Sequence, residues 1–161
     1  MQLTKDYLHT LFEYKDGNLI YKISSGSKKK GSLVNTQHSS GYIRCKINKK
    51  QYLAHRIIYM MHHGYMPDIV DHIDGNKSNN KITNLRPATK SQNQQNCKIY
   101  TTSSTGIKGV RWNNKHKKYV VRVQANNKRY TWYVEDLELA ELVAMEARDK
   151  YHKQFSNHGV Q

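Results

Sequence analysis

One stretch of 28 residues, Ile69 to Asn96, constrains this chain more than any other: I-V-D-H-I-D-G-N-K-S-N-N-K-I-T-N-L-R-P-A-T-K-S-Q-N-Q-Q-N. A short apolar run ends in Asp71-His72. A polar, turn-rich segment follows, Asp74-Gly75-Asn76-Lys77-Ser78-Asn79-Asn80, then Ile82-Thr83-Asn84-Leu85-Arg86, and after Pro87 a polar segment that can be helical and carries Asn93. The pattern predicts strand, loop, strand, helix. Asp71 and His72 close the first strand, Asn84 lies opposite, and Asn93 sits on the helix. Such an arrangement brings a carboxylate, an imidazole and an amide to one point. Carboxylate and amide oxygens are hard donors suited to magnesium. A neutral imidazole beside such an ion is a general base suited to neutral pH, and metal-assisted phosphodiester hydrolysis needs about this minimum. Asp74, Asn79 and Asn80 read as turn formers whose side chains cap backbone groups.

These residues, D-H-I-D-G-N-K-S-N-N-K-I-T-N-L-R followed by S-Q-N-Q-Q-N, resemble the ββα-metal motif of HNH endonucleases, most of all the phage-type group that includes intron-encoded homing enzymes. The spacing agrees, His72 to Asn84 at 12 and Asn84 to Asn93 at 9. The resemblance implies that His72 is the general base and Asp71 a metal ligand. Asn84 becomes the middle Asn of the catalytic motif, tying the loop and holding the His-bearing strand. Asn93 replaces the family's last His, an H-N-N version, and ligates the metal through its amide oxygen. The implied ion is Mg2+, with Mn2+ able to substitute.

A formal charge of +15 on 161 residues points to a polyanionic partner, nucleic acid before membrane. There is no apolar run long enough for a spanning helix and no signal-peptide pattern at Met1-Gln2-Leu3-Thr4. Cys45 and Cys97 are isolated. That argues against a structural zinc site or a disulfide framework and suits a reducing cytoplasm.

In chain order, residues 7–23 predict a hairpin turning at Asp16-Gly17. Ser24 to Ser32 reads as a basic loop, and Lys28-Lys29-Lys30 as a solvated face or a phosphate contact. Residues 41–47 predict a strand with a hairpin partner at 51–54. Residues 53–63 predict an apolar helix closed by Gly64, with His62-His63 as packing residues. The order G-Y-I-x-x-x-I, then A-H-R-I-I-Y-M-M-H-H-G, then D-H is similar to that of phage HNH proteins, so the resemblance reaches back to about Leu11. Within it, Arg56 reads as a phosphate contact or a brace, and His55 as a packed or hydrogen-bonded helix histidine.

Lys98 to Gly106 is a polar linker. Beyond it, strands are expected at 107–112, 119–124 and 129–134, and a helix over 137–153 N-capped by Asp136. Ala140, Ala144 and Ala147 form a smooth helical stripe suited to close packing on a sheet. The opposite sheet face then carries Arg111, Arg122 and Arg129. Residues 100–130 hold eight Lys and Arg and no acid, whereas all six acids of the C-terminal part lie at 135–149. This segregation fits a basic sheet against DNA and an acidic helix facing away. S-T-G-I-K-G-V-R-W, K-K-Y-V-V-R-V and the Ala-rich helix resemble the AP2-type DNA-binding domain, in which three antiparallel strands pack on one helix and the sheet enters the major groove. By position Arg111, Trp112 and Arg122 match its reading strands. Thr131-Trp132 and Tyr119 depart from the family's usual residues. Arg suits guanine in the major groove; Lys108, Lys117 and Lys118 suit phosphate. Arg86 and Arg56 complete the expected DNA contacts.

The expectation is thus an α+β chain. Residues 1–97 form an HNH domain with its ββα core at 69–97, 98–103 a linker, and 104–161 an AP2-like domain. The implied activity is site-specific, metal-dependent hydrolysis of one strand of duplex DNA by a monomer without an obligate protein partner, in the cytoplasm of a phage-infected host, in the service of a mobile element. The competing class is a non-catalytic phage DNA-binding regulator on an HNH scaffold, in which Asp71, His72 or Asn93 need not be kept.

Overall fold

The computed structural model describes residues 3–99 and 103–159, so part of the linker expected at 98–103 lies outside the described residues. The fold is mixed α+β, built of small antiparallel sheets and few helices. It divides into two compact units, Met1–Ala88 and Thr89–Gln161.

The first unit opens with a helix, α1 (Lys5–Leu11), where a strand is expected. The correction has a local cause. The Thr4 side chain accepts from the Tyr7 amide, so the chain is capped into a helical turn, and only Leu8 of this segment is buried. The expected hairpin then follows as β1 (Phe12–Lys15) and β2 (Asn18–Tyr21), turning at Asp16-Gly17 with both residues at positive φ. A three-stranded sheet comprises β3 (Thr36–Gln37), β4 (Ile43–Ile47) and β5 (Lys50–Leu53), in that order. Helix α2 (Ala54–His63) has seven buried residues, too many for a one-faced surface helix. It packs on α1, β4, β5 and the next strand, β6 (Ile69–His72). Leu8, Phe12, Leu19, Ile57, Ile58 and Met61 fill the core between them. Gly64 ends α2 in the left-handed conformation and donates to the Met60 carbonyl. Strand β6 pairs antiparallel with β7 (Leu85–Ala88), placing Asp71 opposite Arg86 and His72 opposite Leu85. The second strand starts later than the sequence suggests, because Ile82–Asn84 forms a 3-10 turn.

The second unit begins with α3 (Lys90–Gln95), closed at its start by a capping box between Thr89 and Gln92. Three antiparallel strands follow, β8 (Val110–Asn113), β9 (Lys118–Ala125) and β10 (Lys128–Val134), with β9 central. The first strand starts three residues later than expected, since the Thr105 hydroxyl turns the preceding chain by bonding Ile107 and Val110. Helix α4 (Leu137–His152) is capped by the Asp136 side chain on Leu139 N. It lays Ala140 and Ala144 against Val110, Val121 and Val134.

Both alanines are fully buried against the sheet, so added methylenes there have no space. Ala144→Leu is expected to destabilise the second unit by about 1–3 kcal/mol, read as a lower urea midpoint with an unchanged denaturant slope.

Candidate functional site

His72 and Asp71 close β6 and are almost completely buried, at 4% and 5% exposure. A polar pair so enclosed must be satisfied within the protein. Arg86 Nε donates to Asp71 Oδ2 at 2.9 Å across the strand pair. His72 Nε2 lies 2.9 Å from Asn80 Oδ1. An amide oxygen only accepts, so this contact favours a proton on His72 Nε2.

The loop joining β6 to β7 is tied by two side chains. The Asp74 carboxylate accepts from Asn76 N, Asn79 Nδ2 and Asn84 Nδ2. Burial opposes its charge, but these hydrogen bonds prevail and hold the carboxyl below its usual range. Asn84 closes the loop: its Oδ1 accepts from Asp74 N, and its Nδ2 also donates to the Asn79 carbonyl. Asn79 therefore works as a turn former, whereas Asn80, two residues from Ser78 in the same turn, is turned inward to the imidazole and is 2% exposed. Its role was hidden by the run of Asn and Asp around it.

Two aromatic rings wall His72. The His55 ring centroid lies 4.8 Å away at 60°, and Tyr42 lies 6.0 Å away. Lys77 sits over Tyr42 and donates to the Ser40 carbonyl, joining the β3–β4 turn to this loop. His55 is a packed histidine: its Nδ1 is buried with no hydrogen-bond partner among the described residues. Burial, then the neighbouring His72 and Arg56, push its pKa down to about 3.

The remaining candidates separate by geometry. Arg56 braces the chain entering β6, donating to the carbonyls of Pro67 and Asp68. Arg86 is mostly buried and engaged with Asp71. Asn93 lies within α3, where its backbone amide donates to the Thr89 carbonyl. Lys108, expected as a phosphate contact, is instead an internal tie: its ammonium donates to the carbonyls of Gln95, Cys97 and Asn157. Burial, and then Arg148, lower its pKa to about 8. Arg111, Arg122 and Arg129 are exposed and share one sheet face, since Arg111 pairs with Val120 and Arg129 with Gln124. Trp112 pairs with Tyr119 on the other face, the one that meets α4, with the two rings edge to face at 4.9 Å. Lys117 lies exposed in the β8–β9 turn, and Lys118 pairs with Glu135 at 3.0 Å.

A family model described as HNH endonuclease matches residues 52–95, the span from β5 through α2, β6 and β7 to α3. Protein 3.8 of Escherichia phage T7 is 34% identical over 89 residues, covering 54% of this chain and 72% of that protein. The chain belongs to the HNH endonuclease family. Membership carries a nuclease-type hydrolase function, with DNA as the substrate the family implies. The matched span of this HNH protein contains His72, Asp71, Asn80, Asn84 and Asn93. No solved structure matches the chain. No helix among the described residues is long and apolar enough to cross a membrane.

The neutral His55 gives this family member an acid-sensitive core. The unfolded chain takes up a proton on that ring near pH 6.5, and the folded protein does so only near pH 3. Stability from this group is therefore lost as pH falls through that window, with a limiting slope of about 1.4 kcal/mol per pH unit. His55→Phe should show a shallower loss between those limits, measured by urea denaturation across the acid range.

Proposed function

We propose that this protein is a site-specific, metal-dependent DNA endonuclease that nicks one strand of a duplex. The observation that carries the reading is the buried His72, oriented through Nε2 by Asn80, beside Asp71 and within the HNH-matched span. His72 Nδ1 takes a proton from water as the water attacks the scissile phosphorus. The 3′ oxygen departs with the electron pair of the broken P–O bond and takes up a proton from solvent, leaving a 5′-phosphate and a 3′-hydroxyl.

The donor chemistry fits a small hard ion. Asp71 offers a carboxylate, and the family pattern assigns Asn93 an amide oxygen. Among the described residues no group of three or more His, Cys, Asp or Glu is placed to hold a metal. The Asp71 and Asn93 oxygens are of the hard kind that magnesium takes alongside retained waters and substrate phosphate; manganese is the natural substitute. When bound, the ion supplies charge stabilisation at the phosphate and the leaving oxygen. Arg86, bonded to Asp71, fixes the carboxylate's direction.

Residues 1–97 act as the HNH domain, 98–103 as the linker and 104–161 as an AP2-like module. Support for the module is the three-stranded sheet on one helix, with Arg111, Arg122 and Arg129 on the face opposite α4. The chain acts as a monomer with one catalytic site, hence one nick. A phage mobile-element enzyme acting on DNA in the host cytoplasm is the biological setting proposed.

A supercoiled-plasmid assay on DNA of the source element tests the reading. Wild type with Mg2+ should give open circles, and EDTA should abolish them. His72→Ala should lose roughly 10²–10⁴-fold in rate while its gel-shift affinity stays unchanged. Linear DNA from a single monomer binding event would overturn the nickase assignment. Arg122→Ala should weaken binding by about 1–3 kcal/mol or relax base preference; unchanged affinity and preference would remove the sheet from the groove.

A further inference from the structure

We propose that Asn80, gripped from behind by the N-terminal hairpin, is the positioning residue that fixes the tautomer of His72. The inference rests on the reading of His72 as the general base and adds how that base is prepared. A neutral imidazole has two tautomers, and its ring can turn about its bond to the backbone side. Either change puts N–H where the lone pair must be. Packing alone does not choose between them. His55 and Tyr42 confine the ring plane, but ring-to-ring packing by itself does not distinguish a protonated nitrogen from a bare one. The hydrogen bond from Nε2 to Asn80 Oδ1 does. Both partners are buried, so water does not compete for this bond.

Asn80 is held by a part of the chain with no chemistry of its own. Gly17, at the turn of β1–β2, lies so close to the Asn80–Lys81 peptide that a Cβ there would come within 2.9 Å of Lys81 N and 3.2 Å of the Asn80 carbonyl carbon. Its φ of +87° is one that only glycine adopts freely. Three residues earlier, the Tyr14 hydroxyl accepts from Ile82 N at 3.0 Å. The hairpin thus grips this segment at two points, on either side of Lys81. Asn80 N also donates to the Ser78 carbonyl. The backbone of Asn80 is therefore fixed from both directions, and its side chain reaches His72 from a rigid support. Asn79, its neighbour, is bonded to Asp74, so the two asparagines divide the work: one closes the loop, the other sets the base.

The test is the tautomeric state of His72 in the full chain labelled with 15N-histidine, read from long-range 1H–15N correlations at a pH where the ring is neutral. Wild type should show the Nε2–H pattern. Asn80→Ala should show mixed tautomers, with kcat reduced roughly 10- to 100-fold, part of the roughly 10²–10⁴-fold that a general base supplies, and KM for DNA unchanged. Asn80→Asp restores an acceptor and should recover the Nε2–H pattern. Gly17→Ala, far from any reacting atom, should shift the pattern toward that of Asn80→Ala. An Nδ1–H pattern in wild type, or a wild-type pattern in folded Asn80→Ala, would overturn the proposal, and the wild-type spectrum decides even where the alanine variant does not fold. The expected tautomer in a protein that cuts no DNA would leave the Asn80 assignment standing and remove instead the nuclease reading beneath it.

Discussion

The structure around His72 depends on one constraint: a buried imidazole and a buried carboxylate must each find a polar partner inside the protein. Leaving either unpaired costs on the order of 1–3 kcal/mol, more for the charged group. Cross-strand pairing solves the carboxylate, because the β6–β7 register sets Arg86 opposite Asp71. The imidazole requires more. Its partner, Asn80, comes from the loop itself, so the loop must be as well ordered as the strands. Asn84 and Asp74 provide that order by closing the loop on itself, and the β1–β2 hairpin provides it from outside. Remote residues such as Tyr14 and Gly17 thus belong to the same construction as the candidate base. The large apolar core under α2 gives the hairpin a firm base.

The second unit solves a different problem, carrying positive charge without collapsing on itself. Its exposed arginines are kept on one sheet face while Ala140 and Ala144 let α4 approach the other. Two cations are nevertheless drawn inward. Lys108 donates to two carbonyls at the end of α3 and to Asn157, and Arg148 donates to the Lys108 carbonyl. A cation at a helix C-terminus meets the negative end of its dipole and its unpaired carbonyls together. That satisfies a charge the surface does not need and anchors α3 within its unit.

Local patterns in the sequence were good guides where one interaction decided the outcome. Asp16-Gly17 made the turn, Gly64 ended α2, Asp136 capped α4 and the alanine stripe was buried. Charge type alone was a poor guide to exposure: Lys108 and Arg56 look like phosphate contacts until their carbonyl partners are seen. The segment at Tyr7–Leu11 is partly apolar and precedes the Asp16-Gly17 turn, which suggests a strand, yet the Thr4 cap draws it into a helix. For the candidate site, the family pattern picked out His72 and Asp71. It did not reveal Asn80, because its partner is eight residues away and composition says nothing about which of two adjacent asparagines turns inward. Nor did it reveal Tyr14, whose contact spans 68 residues.

The central claim is that His72 prepares a water molecule to attack phosphorus with departure of the 3′ oxygen. Cleavage of duplex DNA in H2(18)O, followed by mass spectrometry of the new ends, tests it most directly. The account predicts one 18O atom on the 5′-phosphate and an unlabelled 3′-hydroxyl. Label on a 3′-phosphate, or ends carrying no label, would contradict it.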